Sequence, residues 1–227
     1  MARKTFTEET HGSQKDLQLL ANQNQAVLNQ ELSKILNKPI NLEWLSPLKN
    51  DEYAEYVDQD FINRLGINSK IIKPLKEFWP NGGANWDGLA KNKDTVFIME
   101  AKAHISEQKI DSSKATPISL ELIEKSLAET KAFLNVKSDI DWCKDNYYQY
   151  ANRLAHLYYL REVNKIDAHL LFIYFLNDKT VTEKTETKED WEQAINEVYK
   201  NLKLEKKNKL SDFIHHIYIN VDLLNKK

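Results

Sequence analysis

Three residues of this chain, Asp87, Glu100 and Lys102, have types and a spacing suited to metal-assisted hydrolysis. The segment from Asp94 through Thr95-Val96-Phe97-Ile98-Met99-Glu100-Ala101-Lys102-Ala103-His104 reads as a strand, a β-branched and aromatic run after a polar turn. Strand side chains alternate, so Val96, Ile98, Glu100, Lys102 and His104 share one side, which begins apolar and turns charged. The opposite side, Thr95, Phe97, Met99, Ala101 and Ala103, stays mostly apolar. A face that passes from oil to acid, base and imidazole leaves a core and enters a cleft.

The preceding Asn85-Trp86-Asp87-Gly88-Leu89-Ala90 fits as the hairpin partner of that strand. A turn centred on Asn92-Lys93 sets Asp87 opposite Ile98. Asp87 is then a diagonal neighbour of Glu100, about 7–8 Å away between Cβ atoms. Two carboxylates so placed can hold one hard divalent cation. Mg²⁺ takes oxygen ligands at about 2.0–2.1 Å and combines one or two carboxylates with water and phosphate. Lys102, one pleat further on, stands beside such an ion and its water. Acid, acid and ammonium around one metal form a constellation for phosphodiester hydrolysis. Of only five glycines, Gly82, Gly83 and Gly88 crowd around Asp87. Both a turn that feeds the strand and a loop that admits substrate closely satisfy that pattern.

Asp87 followed by Glu100-Ala101-Lys102 at the end of an apolar strand resembles the PD-(D/E)XK superfamily, the restriction-endonuclease-like phosphodiesterases. The resemblance implies an α/β fold with an αβββαβ core, a mixed sheet flanked by helices. It implies that Asp87 and Glu100 bind Mg²⁺ or Mn²⁺ and that Ala101 offers its backbone carbonyl. Lys102 then positions or activates the attacking water. The implied substrate is nucleic acid, DNA in preference to RNA, in restriction, defence or repair. Trp86 stands where the family has Pro before the Asp, a position that is commonly degenerate. Many members place a Glu of the first core helix near the metal. On a helix expected over 51–65, Glu52, Glu55 and Asp58 compete for that role; Glu55 is the choice, although periodicity sets Asp58 closer to the apolar arc. Some members also carry Gln-x-x-x-Tyr on a later helix, and here Gln149 begins that element with Arg153 in the Tyr place. The resemblance covers the catalytic core, residues 50–180.

Further candidates surround this set. Gln149, Arg153 and His156 fall on one face of a helix expected over 144–164, and Arg suits bidentate phosphate recognition. An exposed polar stripe accounts for the same spacing. His104 either continues the site face or caps the strand end. His215 and His216, adjacent on a strand, point to opposite faces and read as structural. Ser112-Ser113-Lys114 is a polar loop that could take phosphate.

The 227 residues fit one main domain, a restriction-endonuclease-like unit over 46–227, behind an N-terminal helical extension over 1–45. A net charge of −2 counts against a tight nonspecific DNA binder, though a local basic patch can coexist with it. The lone Cys143 forms no intramolecular disulfide and suits a reducing compartment, so cytoplasmic is the default and no membrane is expected. Apolar spacing predicts a helix over 14–37, an extended Pro39–Leu45, and a strand or irregular strand over 71–79. It also predicts a helix over 118–134, a buried strand over 168–175, a helix from the Thr187/Asp190 capping box to Leu202, and a strand over 213–219. Oligomeric state stays open, with a homodimer as one arrangement for cutting two strands. The second functional reading is a module of the same fold that has lost catalysis and binds nucleic acid or a protein partner. A different metal hydrolase is disfavoured, since the chain has no HExxH, CxxC or paired-His helix.

Overall fold

The most apolar stretch of the chain, Ala168–Leu176, lies between two parallel neighbours, where a strand covered on both faces belongs. The computed structural model describes residues 3–108, 115–137, 139–144 and 146–224. Its elements run β1 (Arg3–Lys4), α1 (Gly12–Gln23), α2 (Gln25–Ile35), β2 (Glu43–Ser46), β3 (Glu55–Tyr56), α3 (Asp58–Leu65), β4 (Gly88–Asn92) and β5 (Thr95–Lys102). They continue with α4 (Pro117–Phe133), α5 (Tyr148–Tyr158), β6 (Ala168–Leu176), α6 (Lys188–Asn201) and β7 (Ile214–Asn220). Five strands form one mixed sheet in the order β2-β4-β5-β6-β7. The first three are antiparallel neighbours, and β5, β6 and β7 are parallel. Strands β1 and β3 pair separately, and Tyr56 bridges to Trp86 just before β4.

Helices cover both faces of the sheet. Val96, Ile98, Leu170, Phe172 and Tyr174 pack into one core with Phe61, Leu127, Leu154 and Trp191 of α3, α4, α5 and α6. Phe97, Met99, Ala101, Leu171 and Ile173 pack into the other with Leu17, Leu20, Leu28 and Leu32 of α1 and α2. The alternation read along β5 therefore divides its residues between the two cores as expected. Each of those four leucines is stabilised by about 1.5–3 kcal/mol on burial, which makes α1 and α2 a packed layer of the structure. No helix among the described residues is long and apolar enough to cross a membrane.

Four local expectations are corrected. The helix expected over 14–37 breaks at Asn24, whose amide Nδ2 donates to Leu19 O at 3.3 Å and Leu224 O at 3.1 Å. A short polar side chain that bonds the backbone directly competes with helix continuation. The helix expected over 51–65 begins only at Asp58, because Glu52 and Tyr53 take left-handed φ of 53° and 49° and Glu55–Tyr56 pair with β1. It stops as expected at Gly66, with φ 72°. Residues 71–79 form no strand. Ile72 N and Lys73 N donate to Asn164 Oδ1 at 2.8 and 2.9 Å, while Phe78 and Trp79 bury against α5 and the turn after it. Pro74 within this stretch and Pro80 directly after it lack an N–H for a ladder. The helix expected over 144–164 begins at Tyr148 and ends in a π turn over Tyr159–Val163.

The β4–β5 turn also differs from expectation. Asn92 pairs with Thr95, so the turn is Lys93-Asp94, with Lys93 at φ 57°. Leu89 then faces Ile98, and continuing that register brings Asp87 level with Glu100. A shift of two residues preserves every face, so the two acids come nearer together than the diagonal arrangement allowed. Gly88 permits the crossing, since a Cβ there would lie 3.1 Å from Met99 Sδ and 3.2 Å from Met99 Cβ. We expect Gly88→Ala to destabilise the fold by about 1–3 kcal/mol through overpacking, measured by urea unfolding. Met99→Ala in the same chain removes the Sδ contact and leaves the Cβ, so the double variant should recover part of that loss and be more stable than the sum of the two single losses predicts.

Candidate active site

Strand β5 delivers Glu100 and Lys102 to the interior, 2% and 9% exposed. Beyond Gly88 strand β4 ends, and the next free N–H of β5 is taken by a side chain: Asp87 Oδ2 accepts from Ala101 N at 2.8 Å. An acid in an irregular segment is thus fixed against the strand end by a bond that continues the ladder.

Helix α5 supplies the counter-charge. Arg153 Nε donates to Glu100 Oε2 at 2.7 Å, and its Nη2 lies 2.6 Å from the same oxygen. Nη2 also donates to Asn85 O at 2.8 Å, and the guanidinium lies 4.8 Å from the Trp86 ring centroid. Glu100 Oε1 forms an ion pair with Lys102 Nζ at 2.5 Å. Asn85 Nδ2 donates to Glu55 Oε2, and Gln14 Nε2 donates to Glu55 Oε1 at 3.2 Å. A connected polar chain therefore runs from α1 through β3 and the 85–87 segment to α5 and β5.

The charges do not balance evenly. Burial pushes the Glu100 carboxyl up, but Arg153 and Lys102 outweigh it and hold the group below the usual carboxylate range. Burial pulls the Lys102 ammonium down, yet Glu100 and Asp87 keep it above its ordinary value. Asp87 is pushed well up, first by burial and then by the Glu100 charge, with Lys102 opposing. Glu55 is also raised by burial, with the Asn85 hydrogen bond opposing. Asp87 and Glu55 are thus the acids of the cluster that ionise less readily than usual.

Two small cavities border these groups. One of about 20 Å³, room for about one water, is lined by Glu100, Lys102, Gln108, Gln149, Tyr150 and Tyr174 among others. The other, about 30 Å³, is lined by Ser13, Gln14, Glu55, Asp87 and Ala101 among others. Among the described residues no three or more His, Cys, Asp or Glu side chains gather so that they could hold a metal ion by themselves. The oxygen donors on hand are two or three carboxylates, with the Ala101 carbonyl to supplement them.

Asp87, Glu100, Ala101 and Lys102 come together, and Gln149 lines the cavity beside Lys102. Glu55 also reaches the cluster, from strand β3 and not from the helix expected to carry it. Arg153 belongs to the cluster as the buried partner of Glu100; its donors are directed inward, away from any phosphate. His104 is corrected. Strand β5 ends at Lys102, and the His104 ring turns to Glu186 Oε2 at 3.2 Å and toward Asp178 Oδ2 at 4.0 Å. His156 is buried between Trp79 and Trp86, where burial pushes it down to about 3. Asp58 accepts from Gly82 N and Gly83 N at 3.0 and 3.1 Å, so it fixes the turn before the site. Glu52 is exposed near Arg3. His215 bonds His169 on one face and His216 contacts Tyr174 on the other, in keeping with their alternation. Ser112-Ser113-Lys114 lies outside the described residues. Sequence reading missed Asn85 and Gln14 as linkers, since neither sits in a pattern that marks a buried partner.

Compared with protein-family models, with curated proteins and with solved structures, the chain matches none.

Removing Arg153 should leave Glu100 underneutralised in the interior. Arg153→Met should cost about 3–5 kcal/mol in chemical unfolding, as for one partner taken from a buried pair. Asp87→Asn should act oppositely. The Asp87 carboxyl ionises less readily in the fold than in the unfolded chain, so its charge opposes folding at neutral pH. Below about pH 4 it is protonated in both states and that penalty is gone. Asparagine keeps an oxygen for the Ala101 N–H, so the variant should melt a few degrees higher near pH 8, roughly 2–4 °C per kcal/mol, with the gain fading toward pH 4. An equal or lower melting temperature at both pH values would contradict this account.

Proposed function

We propose that this chain is a metal-dependent phosphodiesterase of restriction-endonuclease type that cuts nucleic acid, with DNA as the favoured substrate. The observation that carries the reading is the 2.8 Å hydrogen bond from Ala101 N to Asp87 Oδ2, which seats Asp87 against Glu100-Ala101-Lys102. The element order supports it: a helical layer, antiparallel β2, β4 and β5, then α4 and α5, then β6 parallel to β5.

The residues present suit a hard divalent cation. Asp87 and Glu55 border one cavity together with Ala101, and Asp87, raised by burial and by the Glu100 charge, would ionise more readily beside a cation. Asp87, Glu100 and the Ala101 carbonyl would hold the ion, with Glu55 beside them. Mg²⁺ or Mn²⁺, when bound, would polarise a phosphoryl oxygen and lower the pKa of a water. Lys102, kept protonated by its two acids, borders the one-water cavity and would donate to that water and to charge developing on the phosphate. Arg153 acts through Glu100 as a positioning residue, and Asn85 holds Arg153 and Glu55 to the same frame.

One observation favours the second reading, a binding module without catalysis. Both Glu100 oxygens already face cations, as in a structural ion triad. Incubation with Mg²⁺ and a panel of plasmid, single-stranded DNA and RNA decides between the two. The phosphodiesterase reading expects cleavage that falls at least about 100-fold in Lys102→Ala and Asp87→Ala, with both variants still folded by thermal unfolding. Cleavage undiminished in both variants would end this mechanism. No Asp87-dependent heat on titrating Mn²⁺ into the protein would favour the binding module.

A further inference from the structure

Strand β7 is an edge strand, so the rings it carries have sheet neighbours on one side only. Tyr150 of α5 stacks on Phe172, with centroids 4.4 Å apart and planes 5° apart. Phe172 in turn stacks on His216 at 5.4 Å and 11°. Tyr174 stacks on His216 at 5.8 Å and 8°, and on Tyr218 at 5.7 Å and 28°. The row of near-parallel rings crosses β6 to β7 and stops there. Beside its last members lies a groove of about 280 Å³ between α6 and β7, lined by Glu192, Asn196, Tyr199, Lys206, His216 and Tyr218 among others. Tyr199, His216 and Tyr218 are all half-buried and line this groove.

The groove and the candidate active site share a wall. Tyr150 Oη lies 3.4 Å from both Tyr199 Oη and His216 Nε2, and Tyr174 Oη lies 3.2 Å from His216 Nδ1. Tyr150 and Tyr174 also line the cavity beside Lys102. Lys206 lines the groove, with Glu192 as the one acid in its wall. Lys206 belongs to a lysine-rich run, Lys200, Lys203, Lys206, Lys207 and Lys209, all exposed, against one acid, Glu205, within 200–209. In a chain of net charge −2 this is a local reversal of sign. Burial pushes the His216 imidazole down to about 3, so at neutral pH it presents an uncharged ring.

Aromatic faces take up unpaired bases without regard to sequence, and lysines beside them follow the phosphates. Bases within a duplex already have neighbours on both faces. We propose that the α6–β7 groove binds bases of a single-stranded nucleic acid, with Lys206 holding the backbone. The direction of the strand, toward Lys102, rests on the phosphodiesterase reading; the binding itself does not.

Fluorescence anisotropy of a labelled oligothymidylate, in chelator and at low salt, tests this on the full chain. The single strand should bind more tightly than a duplex of equal length. Tyr218→Ala should weaken binding by about 10-fold, and Tyr218→Phe should retain it. Lys206→Glu should weaken binding and flatten its salt dependence. Two results would overturn the groove: Tyr218→Ala and Tyr199→Ala both binding like wild type while folded by circular dichroism, or thymidine monophosphate competing as well as the strand. Asp87→Ala should bind the strand unchanged, which separates the two claims. Tyr218-dependent binding by a wild-type protein that cuts nothing would sink the phosphodiesterase reading alone. Asp87-dependent cleavage with neither Tyr218→Ala nor Tyr199→Ala altering binding would sink the groove alone.

Discussion

A carboxylate 2% exposed in the middle of a protein is tolerated only when its charge is answered, and here Glu100 is answered twice. Arg153 closes on one oxygen and Lys102 faces the other. Much of the surrounding architecture serves that requirement. Helix α5 must dock where its arginine reaches β5, and the Asn85 carbonyl takes the donor that Glu100 leaves over. Trp86 lies beside the guanidinium, and Tyr56 bridges to its backbone and ties it to the small β1–β3 ribbon. The ion group thus couples three segments that are distant in sequence.

Around that neutralised centre, two other acids ionise less readily. Glu55 and Asp87 lie near Glu100 but on the side toward α1, where burial and the Glu100 charge raise both carboxyls. Natural structures retain such unfavourable charge mainly at sites that act on something. The N-terminal helices matter to this arrangement, because Gln14 closes the Glu55 side of the cluster and Leu17 and Leu20 hold α1 on the sheet.

Charged groups and stacked rings occupy different parts of the sheet. On the α1 side the groups are hard oxygens in a narrow space. On the β7 side the same sheet presents rings, and its edge leaves the row open. Tyr150 and Tyr174 link the ring row to Lys102, through their contacts with His216 and their place in the cavity beside that lysine.

Much of this was legible in the residues alone. The alternation along 95–102 sorted Val96, Ile98, Glu100 and Lys102 from Phe97, Met99 and Ala101; Val96 and Ile98 enter one core, the second set enters the other, and Glu100 pairs with Lys102. The buried run at 168–176, the capping box of Thr187 with Asp190 and the stop at Gly66 each depend on neighbours a few positions away. Other features depended on partners far along the chain. Glu55 joined a strand because Lys4 lies opposite it, His104 turned away because Glu186 and Asp178 lie beyond the strand end, and Arg153 met Glu100 across 53 residues. Periodicity and propensity are short-range, so they fix which face a side chain shows; which buried charge finds which counter-charge is settled only when distant segments pack together.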